Sequence, residues 1–468
     1  MKLYDTIAAV SSPRGKGGVA LIRLSGEQAI EIASRVFFPR NRKNLRDLES
    51  SFFVYGDIRM PTDGGAPTGE RIDDGMAVVF RAPRSFTGED TVEITCHGGV
   101  LVTETVLSAF LAAGARSAEA GEFTRRAFVN GKLALSEAEA LGTLLEAKTL
   151  SQLHLSRSGM DGRLSSRIDE LSERLRYVLA SVYARIDYPD EDLADLSNEE
   201  MRVILAEIEN EARILLETYR TGHAAMEGID TVIAGPANAG KSSLYNALVG
   251  RDAAIVTDVA GTTRDMLSET VALGRVTLRL TDTAGLRETD DKVERIGIDR
   301  ARKAIDSSEL VLAVFDASTA PCEEAEALLA VLKERKEHTV IVLNKSDAGV
   351  SPAFAALTED FPYCHSLSLL KDPFNAVAQL RETVERMFTD GSLDLSRDAV
   401  IANARQHAAM TRAIFALERA GTAIGEGLSA DLYCLDAEEA LSAFLELDGR
   451  EIGEEIVAEI FKKFCVGK

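Results

Sequence analysis

The stretch TVIAGPANAGKSS, residues 231–243, opens with a β-branched apolar run, breaks at Gly235 and resumes as a helix-forming segment from Lys241. Within it, GPANAGKS (235–242) fits the pattern G-x-x-x-x-G-K-[ST]. A strand before and a helix after are the context this pattern requires. Its glycines let main-chain N–H groups wrap phosphate oxygens, Lys241 brings a point charge to the β- and γ-phosphates, and the Ser242 hydroxyl suits Mg²⁺. Working outward, apolar runs at 231–234, 276–281, 310–315 and 339–343 alternate with helical segments. That alternation predicts a mainly parallel sheet covered by helices.

Three further motifs follow in order. GTTRD (261–265) precedes the second of these strands and presents Thr263 as a switch-segment hydroxyl. DTAG (282–285) closes that strand, where Asp282 can hold Mg²⁺ through water and the Gly285 N–H can sense a γ-phosphate. NKSD (344–347) follows the run at 339–343 and fits N-K-x-D, in which Asp347 accepts both donors on the Watson–Crick edge of guanine. Adenine offers the wrong donors there. Together the four motifs resemble those of GTPases, and that resemblance puts Leu286 where Ras-like members carry glutamine, which implies that water activation is arranged differently here.

The 468 residues suggest two or three domains at about 150 residues each. Residues 1–120 are rich in glycine and turn signals, with strands expected at 18–24, 51–57, 76–80 and 91–96. Leu164, Ile168, Leu171, Leu175, Val178 and Val182 then recur at helical spacing, and Pro189 ends that run. Met201, Leu205, Ile208, Ala212 and Leu215 mark a second helix face, and helical texture returns at 399–420, 437–447 and 452–464. The expected architecture is multidomain: an α+β domain over 1–120, a helical domain over 121–222 and 381–468, and an α/β Ras-like P-loop domain over 223–380 inserted into it.

Lysines and arginines number 53 against 75 acidic residues, a formal net charge of −22 with 46% apolar residues. This acidic balance excludes broad electrostatic attraction to nucleic acid and leaves only local patches, of which Arg40, Arg42, Lys43 and Arg46 form one; a solvated loop is the plainer reading of it. Five scattered cysteines without a C-x-x-C pair argue against a disulfide framework or zinc cluster and fit a reducing compartment. Neither a signal peptide nor a membrane span is expected.

The four G motifs resemble those of translation-factor-like GTPases, and the whole chain resembles the tRNA modification GTPase MnmE family. DTIAAVSSP, GVALIRLSG, SFTGEDTVEITCHGG, GEFTRRAFVNGKLALSEAEA and the terminal Phe464-Cys465-Val466-Gly467-Lys468 carry the second resemblance. It implies an amino-terminal tetrahydrofolate-binding and dimerisation domain, with Arg23, Glu93, Lys132 and Lys468 on the folate. It implies GTP contacts from Asn238, Ala239, Gly240, Lys241, Ser242 and Ser243; from Thr257, Asp258, Val259, Ala260, Gly261, Thr262 and Thr263; from Asp282, Thr283, Ala284 and Gly285; and from Asn344, Lys345, Ser346 and Asp347. Mg²⁺ falls to Ser242 and Thr263, and K⁺ to Asn238, Thr257, Val259 and Thr262. In catalysis Glu294 acts on the attacking water, Lys241 and Arg287 support it, and Cys465 is either a thiolate in the modification chemistry or a small residue in a packed tail.

The resemblance further implies a cytoplasmic homodimer, K⁺-dependent and activated by G-domain pairing. With an MnmG-type flavoprotein bringing FAD and NADH, it would form a heterotetramer and modify C5 of the wobble uridine of certain tRNAs. The carbon would come from 5,10-methylenetetrahydrofolate, for which 5-formyltetrahydrofolate is an analogue. Two alternatives remain open on the residues: a regulatory or ribosome-assembly GTPase with a non-folate first domain, and a folate sensor with vestigial GTPase activity. Ala237 and Ala120 replace prolines usual in the family, and Ser368, Leu369 and Leu370 are the candidate guanine-supporting segment.

Overall fold

The computed structural model describes residues 5–13, 15–41, 43–62, 69–187, 196–252, 268–281, 302–451, 457, 460–462, 464 and 467. The chain divides into two compact units, one formed by Met1–Gly142 with Leu445–Lys468 and the other by Thr143–Phe444.

The first unit is built on a seven-stranded sheet ordered β3-β4-β5-β6-β2-β1-β7. Its strands are β1 (Ile7–Val10), β2 (Gly17–Ser25), β3 (Phe37–Pro39), β4 (Phe53–Arg59), β5 (Arg71–Phe80), β6 (Thr91–Gly98) and β7 (Arg116–Ser117). All neighbours are antiparallel except β1 and β7. Residues alternate between the two faces of a strand, so Ile22, Leu24, Val92 and Ile94 bury one face with Ile32 and Phe110 of helices α1 (Ala29–Val36) and α2 (Val100–Ala112). On the opposite face Ile7 and Ala9 pack with Phe123 of α3 (Glu122–Val129). The four strands expected from sequence are all present: β2, β5 and β6 run longer at one or both ends, and β4 keeps its expected length but lies two residues further along the chain. The short β3 and β7 carry too few residues for a period to register.

Helix α4 (Leu135–Glu146) starts in the first unit, where Leu135 and Ala138 pack with Val457 and Phe461 near the carboxyl terminus. In the second unit come α5 (Leu150–Met160), α6 (Arg163–Asp187), α7 (Asn198–Glu217) and α8 (Tyr219–Met226). The expected stripe Leu164 to Val182 lies along α6 and is buried, as is the Met201 to Leu215 face of α7. Ser197 caps α7 through a reciprocal pair with Glu200, which satisfies N–H groups that a helix start leaves unpaired.

The chain then leaves the helices and builds a six-stranded sheet ordered β13-β12-β11-β8-β10-β9. These are β8 (Ile229–Ala234), β9 (Ser268–Leu273), β10 (Val276–Thr281), β11 (Leu310–Asp316), β12 (Thr339–Asn344) and β13 (Cys364–Ser366). Every pairing is parallel except β9 with β10. Helix α9 (Lys241–Asp252) and α12 (Pro373–Phe388) cover one face, and α10 (Glu323–Leu332) and α11 (Pro352–Thr358) the other. A parallel sheet buried on both faces explains the near-continuous apolar runs. Helix α13 (Ala404–Gly425) then packs back against α7, with Arg213 paired to Glu418, and α14 (Ala430–Asp448) follows. The sheet block is thus inserted in a helical domain.

Among the described residues no helix is long and apolar enough to cross a membrane, and Cys96, Cys322, Cys364 and Cys434 are free thiols. In the basic patch, Arg40 pairs with Asp57 at 2.9 Å and Arg46 with Glu31, so two of its charges are met within the fold. Arg42 lies outside the described residues.

Candidate functional site

The loop between β8 and α9 is held by backbone geometry. Gly235 has φ +153°, and a Cβ there would stand 2.1 Å from the Val314 carbonyl oxygen. Gly240, at φ +111°, is equally constrained, because a Cβ would meet Asn344 Nδ2 at 2.1 Å. Only glycine fits either place. The described non-glycine residues with positive φ are Ser51, Asn238 (+58°) and Lys345 (+60°), and two of these three flank this one site. Such conformations are sparsely populated and persist where surrounding contacts hold them.

Lys241 Nζ donates to the carbonyls of Gly235 and Pro236, at 2.8 Å each, so the ammonium lies across the mouth of its own loop. Burial holds its pKa below the usual lysine value. The first turn of α9 presents N–H groups with no helical partner, a ready anion site. Ser242, Ser243 and Asn238 are exposed beside it. The Ser242 hydroxyl and the Asn238 amide oxygen are hard donors of the kind that Mg²⁺ and K⁺ take.

Asn344, at the end of β12 and only 4% exposed, joins this loop to the next. Its Nδ2 donates to the Ala239 carbonyl at 2.9 Å, and its Oδ1 accepts from the Leu369 N–H at 3.1 Å. Lys345 Nζ pairs with Asp316 Oδ2 at 2.6 Å. Burial works to raise the Asp316 pKa, but Lys345 and Ser318 override it and leave the carboxyl below its usual range. Asp347 accepts from Ser368 Oγ at 2.7 Å and pairs with Lys371 at 3.1 Å. The Ser368 hydroxyl first, and Lys371 next, hold its pKa below the usual value. Leu370 beside them is 89% exposed. The fold therefore brings together Asn238 to Ser243, Asn344 to Asp347 and the candidate segment Ser368 to Leu370. Thr257, Asp258, Val259, Ala260, Gly261, Thr262, Thr263, Asp282, Thr283, Ala284, Gly285, Arg287 and Glu294 lie outside the described residues.

In the first unit Arg23 and Glu93 stand directly opposite on β2 and β6. Arg23 Nε and Nη2 reach Glu93 Oε1 at 2.8 and 2.7 Å, and the guanidinium lies 5.7 Å from the ring centres of both Phe86 and Phe123. Among the described residues Glu93 Oε2 takes no partner, so the carboxylate keeps acceptor capacity for donors such as those of a pterin ring. Lys132 Nζ donates to the Pro83 carbonyl at 3.2 Å, three residues before Phe86. Ser11 Oγ donates to the Gly467 carbonyl at 2.8 Å, which docks the tail on the chain just past β1. Its neighbours Cys465 and Lys468 lie outside the described residues.

A network that sequence reading missed supports this arrangement. Arg126, 1% exposed, reaches Asp5 Oδ1 at 2.8 Å, Glu89 at 3.1 Å and Glu122 at 3.2 Å. Arg116 reaches Asp5 and Glu122 at 2.6 Å each. Because Glu122 and Arg126 flank Phe123 on α3, and Glu89 ends the loop carrying Phe86, this network fixes both rings around Arg23. Its sequence signal is the i, i+4 pair Glu122 and Arg126, interleaved with the apolar Phe123 and Ala127 on the same helix.

A phosphate loop tied through Asn344 to an N-K-x-D loop, on a Ras-like sheet set between helices, defines a P-loop protein of the guanine-nucleotide class. Family models agree: the amino-terminal domain of the GTP-binding protein TrmE matches residues 6–132, and the MnmE helical domain matches residues 135–465. The chain belongs to the tRNA modification GTPase MnmE family. It is 39% identical to the tRNA modification GTPase MnmE of Levilactobacillus brevis, over 99% of this chain and 98% of that protein. It is 37% identical to that of Carboxydothermus hydrogenoformans over the full length of both. Among solved structures, the FeoB G-domain from Methanococcus jannaschii matches 35% of this chain and 98% of its own at 22% identity, with a TM-score of 0.25.

Proposed function

We propose that this protein hydrolyses GTP to GDP and phosphate and couples that cycle to modification of C5 of the wobble uridine in certain tRNAs. The observation that carries the GTP half is the Asn344 bridge, which sets the phosphate loop and the Asp347 carboxylate in one frame. Lys241 takes the β- and γ-phosphates by exchanging its two carbonyl partners for phosphate oxygens. Main-chain N–H groups at the start of α9 supply the remaining contacts. Ser242 and Thr263 would hold Mg²⁺, while Asn238, Thr257, Val259 and Thr262 would hold K⁺. When bound, these cations would offset charge that develops on the phosphates in the transition state. Glu294 orients the attacking water and Arg287 steadies the switch segment. Pairing of two G domains completes the site.

The tRNA half rests on family membership along the whole chain. The first unit binds a tetrahydrofolate, with Arg23 and Glu93 beside Phe86 and Phe123 facing the pterin and Lys132 and Lys468 meeting the glutamate tail. When bound, the folate supplies the one-carbon unit. An MnmG-type flavoprotein supplies FAD and NADH chemistry, ammonium or glycine supplies the amine, and an aminomethyl group (from ammonium) or a carboxymethylaminomethyl group (from glycine) results. The protein acts as a homodimer in the cytoplasm, with domains over 1–120, 121–222 with 381–468, and 223–380.

Calorimetric titration with 5-formyltetrahydrofolate tests the folate role. Saturable binding by the wild-type chain, weakened in Arg23→Ala, is expected. A folded wild type that binds no folate overturns the one-carbon role and leaves a regulatory GTPase.

A further inference from the structure

The turn 368–371 is built more firmly than an ordinary surface loop. Ser368 Oγ accepts from the Lys371 N–H at 3.3 Å and donates to Asp347 Oδ1 at 2.7 Å. The Asp372 N–H donates to the Ser368 carbonyl at 3.0 Å, and the Asp372 side chain caps α12 by accepting from Asn375 N at 3.1 Å. Pro373 follows at the first turn of that helix. Helix α12 in turn buries Leu380, Val384 and Met387 under the sheet. The backbone of Lys371 is therefore fixed through the helix to the core. Its ammonium pairs with Asp347 Oδ2 at 3.1 Å.

An ionised carboxylate offers about four lone-pair sites. Among the described residues Ser368 takes one on Oδ1 and Lys371 one on Oδ2, so each oxygen keeps one. Guanine presents two donors, its ring N–H and its exocyclic amine, and needs one acceptor from each oxygen. We propose that Lys371 is a positioning residue for guanine recognition: with Ser368 it grips the Asp347 carboxylate at two points and leaves the two remaining acceptors aimed for the base. This rests on Asp347 as the guanine reader. A carboxylate held at one oxygen only is free to rotate, and a two-donor base loses more from that rotation than a one-donor base.

Fluorescent mant-GDP and mant-IDP separate these cases, because hypoxanthine lacks the exocyclic amine. With the full-length chain, Lys371→Ala weakens mant-GDP binding by about two- to fivefold, the scale of an exposed ion pair. Mant-IDP binding changes little, the melting temperature stays in place, and Lys371→Arg restores the preference. Raising ionic strength narrows the gap between wild type and Lys371→Ala. An unchanged GDP-to-IDP ratio overturns the proposal, as does equal weakening of both nucleotides. Tighter mant-GDP binding also overturns it, since the lysine would then compete with the base. A GDP preference that survives in the Asp347→Ala chain overturns the guanine-reader reading itself, an outcome distinct from failure at Lys371 alone.

Discussion

Replacing Asn344 with alanine removes a side chain that bridges the phosphate loop and the base loop. Two buried groups lose their partner, the Ala239 carbonyl at 2.9 Å and the Leu369 N–H at 3.1 Å. Leaving a buried polar group unpaired costs about 1–3 kcal/mol. Water entering the small void recovers part of that, so the total is about 2–4 kcal/mol. Nucleotide binding must rebuild the lost register between the loops, and at 1.4 kcal/mol per tenfold this lowers affinity by roughly 30- to 700-fold. The control is Leu343→Ala, the preceding residue on β12, which is buried in the apolar cluster that holds Phe354, whereas Ala239 and Leu369 belong to the cluster on the other face of the sheet. That cavity costs about 2–5 kcal/mol of stability. Mant-GDP titration at 10 °C, well below melting, gives the comparison. Asn344→Ala is expected to lose affinity while Leu343→Ala keeps it. Near-wild-type affinity in Asn344→Ala, or equal loss in both, refutes the bridging argument.

Other consequences follow from the same geometry. Arg126→Met leaves Glu122 and Glu89 short of a buried cation and should cost about 3–5 kcal/mol in urea unfolding. The Asp5 carboxyl is held below its usual range first by the Arg116 hydrogen bond; at Glu122, burial raises the pKa but Arg116 and the Glu119 N–H outweigh it. Carboxyls lowered in the folded state contribute stability that is full above their unfolded values, 3.8 and 4.5, and lost as pH falls through the folded ones. The contribution of these two carboxyls to the unfolding midpoint, read as the difference between wild type and an Asp5→Asn, Glu122→Gln variant, should therefore be constant from pH 7 to 5 and shrink below about 4.5. Glu294→Ala should bind GTP normally and hydrolyse it far more slowly in single turnover, and exchanging K⁺ for Na⁺ at constant ionic strength should slow the wild type. In brief alkylation at pH 8, exposed Cys322 should react while Cys96 and Cys434, whose thiols burial pushes up to about 11, should not, as peptide mass mapping will show.

What the sequence reveals and what it conceals follow from the range of the interactions. The strand, glycine turn and helix at 231–243 are local, so the motif alone places Lys241 and Ser242. The stripes of α6 and α7 are legible because each helix buries a single face. The grip on Asp347 was hidden, because SLLKDP reads as a weak guanine segment until its serine turn and aspartate cap are seen to fix it to α12. The Arg126 network was hidden for another reason. Its members are spread from Asp5 to Arg126, and only the parallel pairing of β1 with β7 and the packing of α3 bring them together. Arg23 and Glu93 meet because a β2–β6 register sets them opposite one another, a fact that spacing along the chain does not carry.

GTP turnover by this protein is expected to serve tRNA modification. Nucleoside mass spectrometry of tRNA from cells in which this protein is replaced by its wild-type or Glu294→Ala form reads that directly. The wild-type form should yield wobble uridine substituted at C5, and the Glu294→Ala form should yield unmodified uridine at the same protein level. Full modification with the hydrolysis-deficient form, or none with a wild type that turns over GTP, would contradict it.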